Sequence, residues 1–257
     1  MVPQVVPPFP LCAAPPPYTH WVPVRRGDAP PAGAVLALTL SHAERDREAL
    51  RAWVPRLRAA HPDRALVLRL SAGTGTELAR LAPLAVRLGA RAVLLDGEPP
   101  AEALRSALCE PLDLGDDVLE WLALRGTPLP PALGHLVGCI FRCAAREPEL
   151  GPLLRRCGEA DRTARARFRR RGLPAPNAWH QAARALAAAL RLQRDPGLPL
   201  LRAAFELGYT DHSALSHQLR RAFGVRASEA RARLGWEWLM DGWARRALRE
   251  EVVTVAA

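Results

Sequence analysis

The chain contains no lysine; every one of its 36 basic Lys or Arg positions is arginine. Tyrosine and methionine occur only twice each, and phenylalanine five times. No stretch of 18 apolar residues occurs, so no membrane span is expected. The opening MVPQVVPPFPLCAAPPPY has no basic start and is broken by prolines, so it does not read as a signal peptide. Five cysteines stand in 257 residues, an odd number without disulfide-like spacing. That argues for a reduced, cytoplasmic setting rather than a secreted one. SAGTGTE (71–77) has the small residues of a phosphate loop but not its spacing, and no lysine follows. A strand-to-helix turn is the expected reading. No nucleophile–base pair emerges, which weighs against an enzyme.

What is present is a lopsided charge. Residues 1–150 carry 16 arginines against 16 acidic residues, whereas residues 151–257 carry 20 against 10. The whole formal excess of +10 therefore lies in the last part of the chain. Compositional bias can replace lysine by arginine everywhere, but it does not confine the excess to one end. A basic face of this kind suits a polyanion.

Residues 1–33 are rich in proline and are expected to be extended or disordered, with a short strand near His20–Arg25. Three apolar runs follow, AVLALTL (34–40), ALVLRL (65–70) and AVLL (92–95). Between the first two, Leu50, Trp53, Val54 and Leu57 fall at helical spacing; between the last two, Leu78, Leu81, Ala85 and Leu88 do. Strand–helix alternation predicts a short parallel sheet with helices on its faces. Pro55 and Pro83 lie inside those two helices and leave their length open. A third helix is expected over 99–108, and from about 130 onward only helical patterns occur. Asp96 ends the third strand, where it reads either as a functional carboxylate or as an ordinary turn aspartate before Gly97.

The most informative stretch is LGYTDHSALSHQLRRAFG (207–224). A helix ends at Gly208, a residue suited to the left-handed turn conformation. Asp211 or Thr210 can cap a second helix. On that helix Leu215, Leu219 and Ala222 share one face, and Ser213, Ser216, His217 and Arg220 share the opposite one. This is a helix-turn-helix pattern. A second copy lies upstream, at 152–172: a helix ends at Gly158, Asp161 follows three residues later, and Phe168 anchors the next helix. Its inward residues are Ala164 and Phe168, and its outward ones Arg162, Arg165, Ala166 and Arg169. Six arginines fall between 162 and 171; arginine grips phosphate oxygens and forks onto guanine in the major groove. A helix of roughly 177–193, with Trp179, Ala183, Leu186 and Leu190 on one face, joins the copies. Two reading helices on one frame can enter successive major grooves about 34 Å apart.

LRAAFELGYTDHSALSHQLRRAFGVRASEAR (201–231) resembles the second helix-turn-helix of AraC/XylS-type transcription regulators. Ala204, Gly208, Tyr209, Asp211, Ser213, Ser216, Arg220, Arg221, Phe223, Gly224, Val225, Ser228 and Glu229 carry the likeness. It extends loosely over 131–233, with GLPAP (172–176) closing the first motif where Gly-x-Ser-Pro is usual. Departures also occur at Ala166, His217, Ala227 and Ala230. The resemblance implies base contacts from outward positions of both second helices. The DNA-contacting candidates are Arg162, Arg165, Arg169 and Arg170, and Ser213, Ser216, His217, Arg220 and Arg221. The front half weakly resembles a shortened receiver, or flavodoxin-like, domain with Asp96 near the phosphoacceptor position. Ser41 and His42 replace the acidic pair, and no lysine is available. A degenerate domain used for contacts or homodimerisation is the expected reading.

His135, Cys139 and Cys143 form one helical stripe that can be read as a metal or redox site, although packing accounts for it. Cys157, before the first turn, reads as a packing residue. Trp236, Trp238, Leu239 and Trp243 suggest a closing helix that caps the helical domain. The expected organisation is thus an α/β domain followed by an all-α double helix-turn-helix domain: 1–33 extended, 34–125 receiver-like, 130–235 DNA-binding, 236–257 a C-terminal extension. The expected activity is that of a cytoplasmic, sequence-specific regulator of double-stranded DNA. Helices 161–171 and 211–222 would enter the major groove, with no metal, cofactor or membrane involved. The competing classes are a basic helical protein-interaction module and an enzyme built on the α/β domain.

Overall fold

The computed structural model describes residues 9–25, 27–40, 47–70, 75–97 and 100–248. Ser41, His42 and residues 71–74 of the small-residue turn lie outside them, as does the side chain of Leu78. The chain divides into two units, Met1–Pro111 with Ala232–Gly235, and Leu112–Arg231 with Trp236–Ala257.

In the first unit β3 (Val35–Leu40), β4 (Leu66–Leu70) and β5 (Val93–Leu95) are parallel, pairing Leu36 with Leu66 and Leu68 with Val93. Helices α1 (Arg47–Ala60), α2 (Gly75–Arg87) and α3 (Pro100–Leu108) follow them in turn. Alternation across the pleat sorts the side chains. Leu36, Leu38, Leu40, Leu66, Leu68 and Leu70 meet Leu50, Val54 and Leu57 of α1 and Leu81, Leu84 and Ala85 of α2. Val35, Ala37 and Val67 face the other way, onto Leu104 and Leu108 of α3. Both faces are covered, which is why these strands read as nearly continuous apolar runs.

Two features differ from the sequence expectation. β2 (Val22–Pro23) falls within the span where a short strand is expected, but the proline-rich segment also supplies β1 (Leu11–Ala14), so the sheet is mixed, in the order β2-β1-β3-β4-β5. β1 runs antiparallel to β3, pairing Cys12 with Ala37. Ala13 and Ala14 are fully buried, and burial of small side chains supplies what periodicity in a proline-broken stretch does not. Pro55 and Pro83 do not end their helices, which continue through them. The unit also takes in residues 232–235: the Leu234 amide donates to the Tyr18 hydroxyl at 2.8 Å, and the leucine side chain joins the α3 cluster.

The second unit is all-helical, comprising α4 (Leu114–Leu124), α5 (Pro131–Cys143), α6 (Leu150–Arg156), α7 (Asp161–Arg170), α8 (Pro176–Arg194), α9 (Leu200–Glu206), α10 (His212–Phe223), α11 (Ala227–Ala232) and α12 (Glu237–Ala247). α4 lies within the span read as receiver-like, yet it packs on α5. A Cβ on Gly115 would meet the Gly138 carbonyl at 2.4 Å, so glycine permits that approach. Trp179 of α8 is the centre of the core. Its ring makes edge contacts with Phe141, Phe168 and Trp243, at centroid distances of 6.4, 6.2 and 4.6 Å. α12 buries Trp236, Leu239, Met240 and Trp243. Its buried Asp241 carboxylate pairs with both Arg125 and Arg245, as a charge removed from water requires.

Candidate nucleic-acid interface

The second motif is the more elaborately built. α9 ends at Leu207, and Gly208 takes φ +69°, the left-handed region that glycine enters without penalty. The Asp211 carboxylate accepts from the Ala214 amide at 2.8 Å and caps α10. That bond holds the carboxyl below its ordinary pKa, against a smaller opposing effect of desolvation. Leu215, Gln218, Leu219, Ala222 and Phe223 are buried. The Gln218 side-chain amide donates to the Gln181 carbonyl of α8 at 2.9 Å. Gly224, at φ +73°, closes the helix, and Arg246 donates to the Ala222 carbonyl at 2.7 Å. Glu229 then accepts from the Arg226 amide at 2.7 Å, starting α11. Ser213, His217, Arg220 and Arg221 are left exposed, with Ser216 half-buried.

The first motif repeats the plan with fewer supports. α6 ends at Cys157, and Gly158 turns at φ +72°. Leu153, Leu154, Ala164 and Phe168 face the core. Arg162, Arg165, Arg169 and Arg170 are exposed, and Ala166 is half-buried. Asp161 stands at the same distance from its glycine as Asp211 does, but it is not a cap. Ala160 takes the cap position without a side-chain bond, and Asp161 pairs instead with Arg165 at 2.8 Å. Glu159 likewise holds Arg167 at 2.7 Å. Arg162, Arg169, Arg170, Arg220 and Arg221 form no ion pair among the described residues.

Sequence reasoning missed the supports that α8 provides. Arg184 donates to the carbonyls of Pro148, just before α6, and of Leu207, in the second turn, at 3.2 and 3.0 Å. Its guanidinium also stacks over the Tyr209 ring, 4.4 Å from the centroid. Burial raises the Tyr209 phenol pKa, and that hydroxyl has no hydrogen-bond partner among the described residues. One turn earlier, His180 Nε2 lies 2.9 Å from the Glu147 carbonyl, and burial lowers its pKa. These partners are distant in sequence, so no local pattern announces them.

The cysteine reading needs correction. Cys139 and Cys157 are joined by a disulfide, with Cα atoms 6.2 Å apart. Their separation of 18 residues has no diagnostic spacing; the α5–α6 hairpin brings them together. Cys157 is therefore more than a packing residue, and Cys139 is not available to a His135–Cys139–Cys143 donor set. Among the described residues no group of three or more His, Cys, Asp or Glu can hold a metal ion.

In the first unit Asp96 is paired with Arg69. Arg69 stacks on Trp21 at 4.8 Å, and all three residues line a cavity of about 220 Å³ at the ends of β4 and β5.

Residues 153–233 match the family model of a helix-turn-helix domain. This span holds α6 through α11 and therefore both motifs. The match supports an AraC-type helix-turn-helix domain over this span, and with it a DNA-binding transcription regulator. Neither curated proteins nor solved structures match the chain. No helix among the described residues is long and apolar enough to cross a membrane.

Proposed function

We propose that the protein is a sequence-specific regulator that inserts α7 and α10 into the major groove of double-stranded DNA. The carrying observation is the pair of outward faces, Arg162, Arg169 and Arg170 on one helix and Ser213, His217, Arg220 and Arg221 on the other, each opposite a buried apolar face. His217, in the middle of α10, and Arg220, in its last turn, are the base-reading candidates there, together with Ser213 and Ser216. The α7 arginines supply mostly backbone grip, because five arginines on one short helix suit phosphates better than a set of distinct base edges. Arg165 is partly occupied by Asp161 and contributes once a phosphate displaces that carboxylate. The first unit serves contacts or homodimerisation, and the protein works in the cytoplasm.

The test is selection of duplexes from a random pool by the full chain at two salt concentrations. Enrichment of one sequence supports the reading. Equal retention of all sequences, lost with modest salt, favours the basic protein-interaction module instead. The enzyme alternative is the weaker one: Asp96 is engaged by Arg69, and Thr19 and His20, 3.0 Å apart in the lining of the cavity beside it, are adjacent in sequence and exposed.

A further inference from the structure

The two motifs are held by different means. Both α7 and α10 are followed by a left-handed glycine, Gly172 and Gly224, but α10 also has a carboxylate cap, a side-chain bond to α8 and five buried side chains. α7 has no side-chain cap and buries only Ala164 and Phe168. It also belongs to a stretch with six arginines between 162 and 171, whose mutual repulsion favours opening. What the first motif has in place of these supports is the Cys139–Cys157 bond. Cys157 is the C-cap residue that follows α6, directly before Gly158 and the turn into α7. The bond fixes that end of α6 to α5, and both cysteines are half-exposed, within reach of small reagents.

We propose that Cys139 and Cys157 form a thiol–disulfide site that sets the order of the first motif and, through it, the affinity for DNA. The affinity part rests on the DNA-binding reading above. Closing the 139–157 loop removes conformational freedom from the loosened state, so cutting the bond lets α6 and α7 open against the core contacts of Leu150, Leu153, Leu154, Ala164 and Phe168. In the forming direction the two thiols lose two protons and two electrons as the Sγ–Sγ bond forms. A peroxide accepts them, its O–O bond breaking to give two waters. In the reverse direction a dithiol reductant attacks as thiolate and leaves as its own disulfide, returning two protons and two electrons to the cysteines.

The experiment uses the full chain carrying Cys12→Ala, Cys109→Ala and Cys143→Ala, so that only the pair remains, treated with hydrogen peroxide or dithiothreitol. Amide hydrogen exchange is read over residues 158–171 and over α10, and affinity is read on a duplex selected from a random pool. Reduction is expected to speed exchange in 158–171 by about tenfold, leave α10 unchanged, and weaken DNA binding by about tenfold. Adding Cys157→Ser is expected to give the reduced behaviour under both treatments. Thiols that persist after peroxide, or equal exchange in the two states, would overturn the proposal. The exchange measurement involves no DNA, so it separates failure of this inference from failure of the regulator reading. If the triple variant does not fold, the wild-type chain beside Cys157→Ser alone gives the same comparison.

Discussion

Single side chains divide into those that read DNA and those that hold the readers. Arg220 is exposed in the last turn of α10 and has no ion pair among the described residues. An arginine forked onto guanine contributes about 1–3 kcal/mol of discrimination. Arg220→Ala should therefore weaken binding roughly 10- to 100-fold, selectively at one base pair, in a mutant-operator titration. Arg170→Ala should weaken all duplexes alike and lower the salt slope by about one. His180 supports the frame. Its imidazole is buried, so its pKa lies below the ordinary value of about 6.5. The unfolded chain then binds the proton more readily than the folded one, and stability is full above that ordinary value and lost as pH falls below it. His180→Gln should flatten this part of the stability-against-pH curve in urea titrations. The outward faces of α7 and α10 were legible because helical spacing is local. Arg184, the α8 residue that donates to backbone carbonyls before α6 and after α9, was not, because its partners become neighbours only on folding.

At the scale of elements, the turns and the central helix set the geometry. Gly208 turns at φ +69°, and an added Cβ would meet Pro148 at an ordinary 3.8 Å. The cost of Gly208→Ala is therefore backbone strain alone, about 1–2 kcal/mol by urea unfolding. Trp179 touches rings from three other helices; Trp179→Ala should cost about 3–5 kcal/mol and abolish DNA binding by loosening both motifs at once. Helix identity, the glycine turns and the Asp211 cap could be read from sequence because each is a short-range device. The same logic over-extended at Asp161, which has the spacing of a cap but pairs with Arg165. It also failed for β1, a four-residue strand of small and apolar residues flanked by prolines, whose pairing with β3 is a long-range choice. The placement of α4 on α5 depended on Gly115 and Gly138, and a glycine contact between helices leaves no periodic trace.

At the scale of the whole molecule, the last 107 residues carry both motifs and all of the net positive charge. Neutralising phosphates releases counterions, so log affinity should fall linearly with log salt, with a slope of about −0.9 per phosphate contacted. The fold class was legible at this scale because strand–helix alternation gives way to helices alone. The return of residues 232–235 to the first unit was not, since nothing in ARLG marks it as part of another core. The central claim is that α7 and α10 read two major-groove segments of one site. It is tested most directly by taking the selected duplex and inserting about five base pairs, half a helical turn, between the two protected segments. The account expects affinity to fall to that of a single segment, with Arg220→Ala then abolishing what binding remains on the α10 side. Unchanged affinity after the insertion would contradict it, since two helices on one rigid frame cannot follow two groove segments rotated apart.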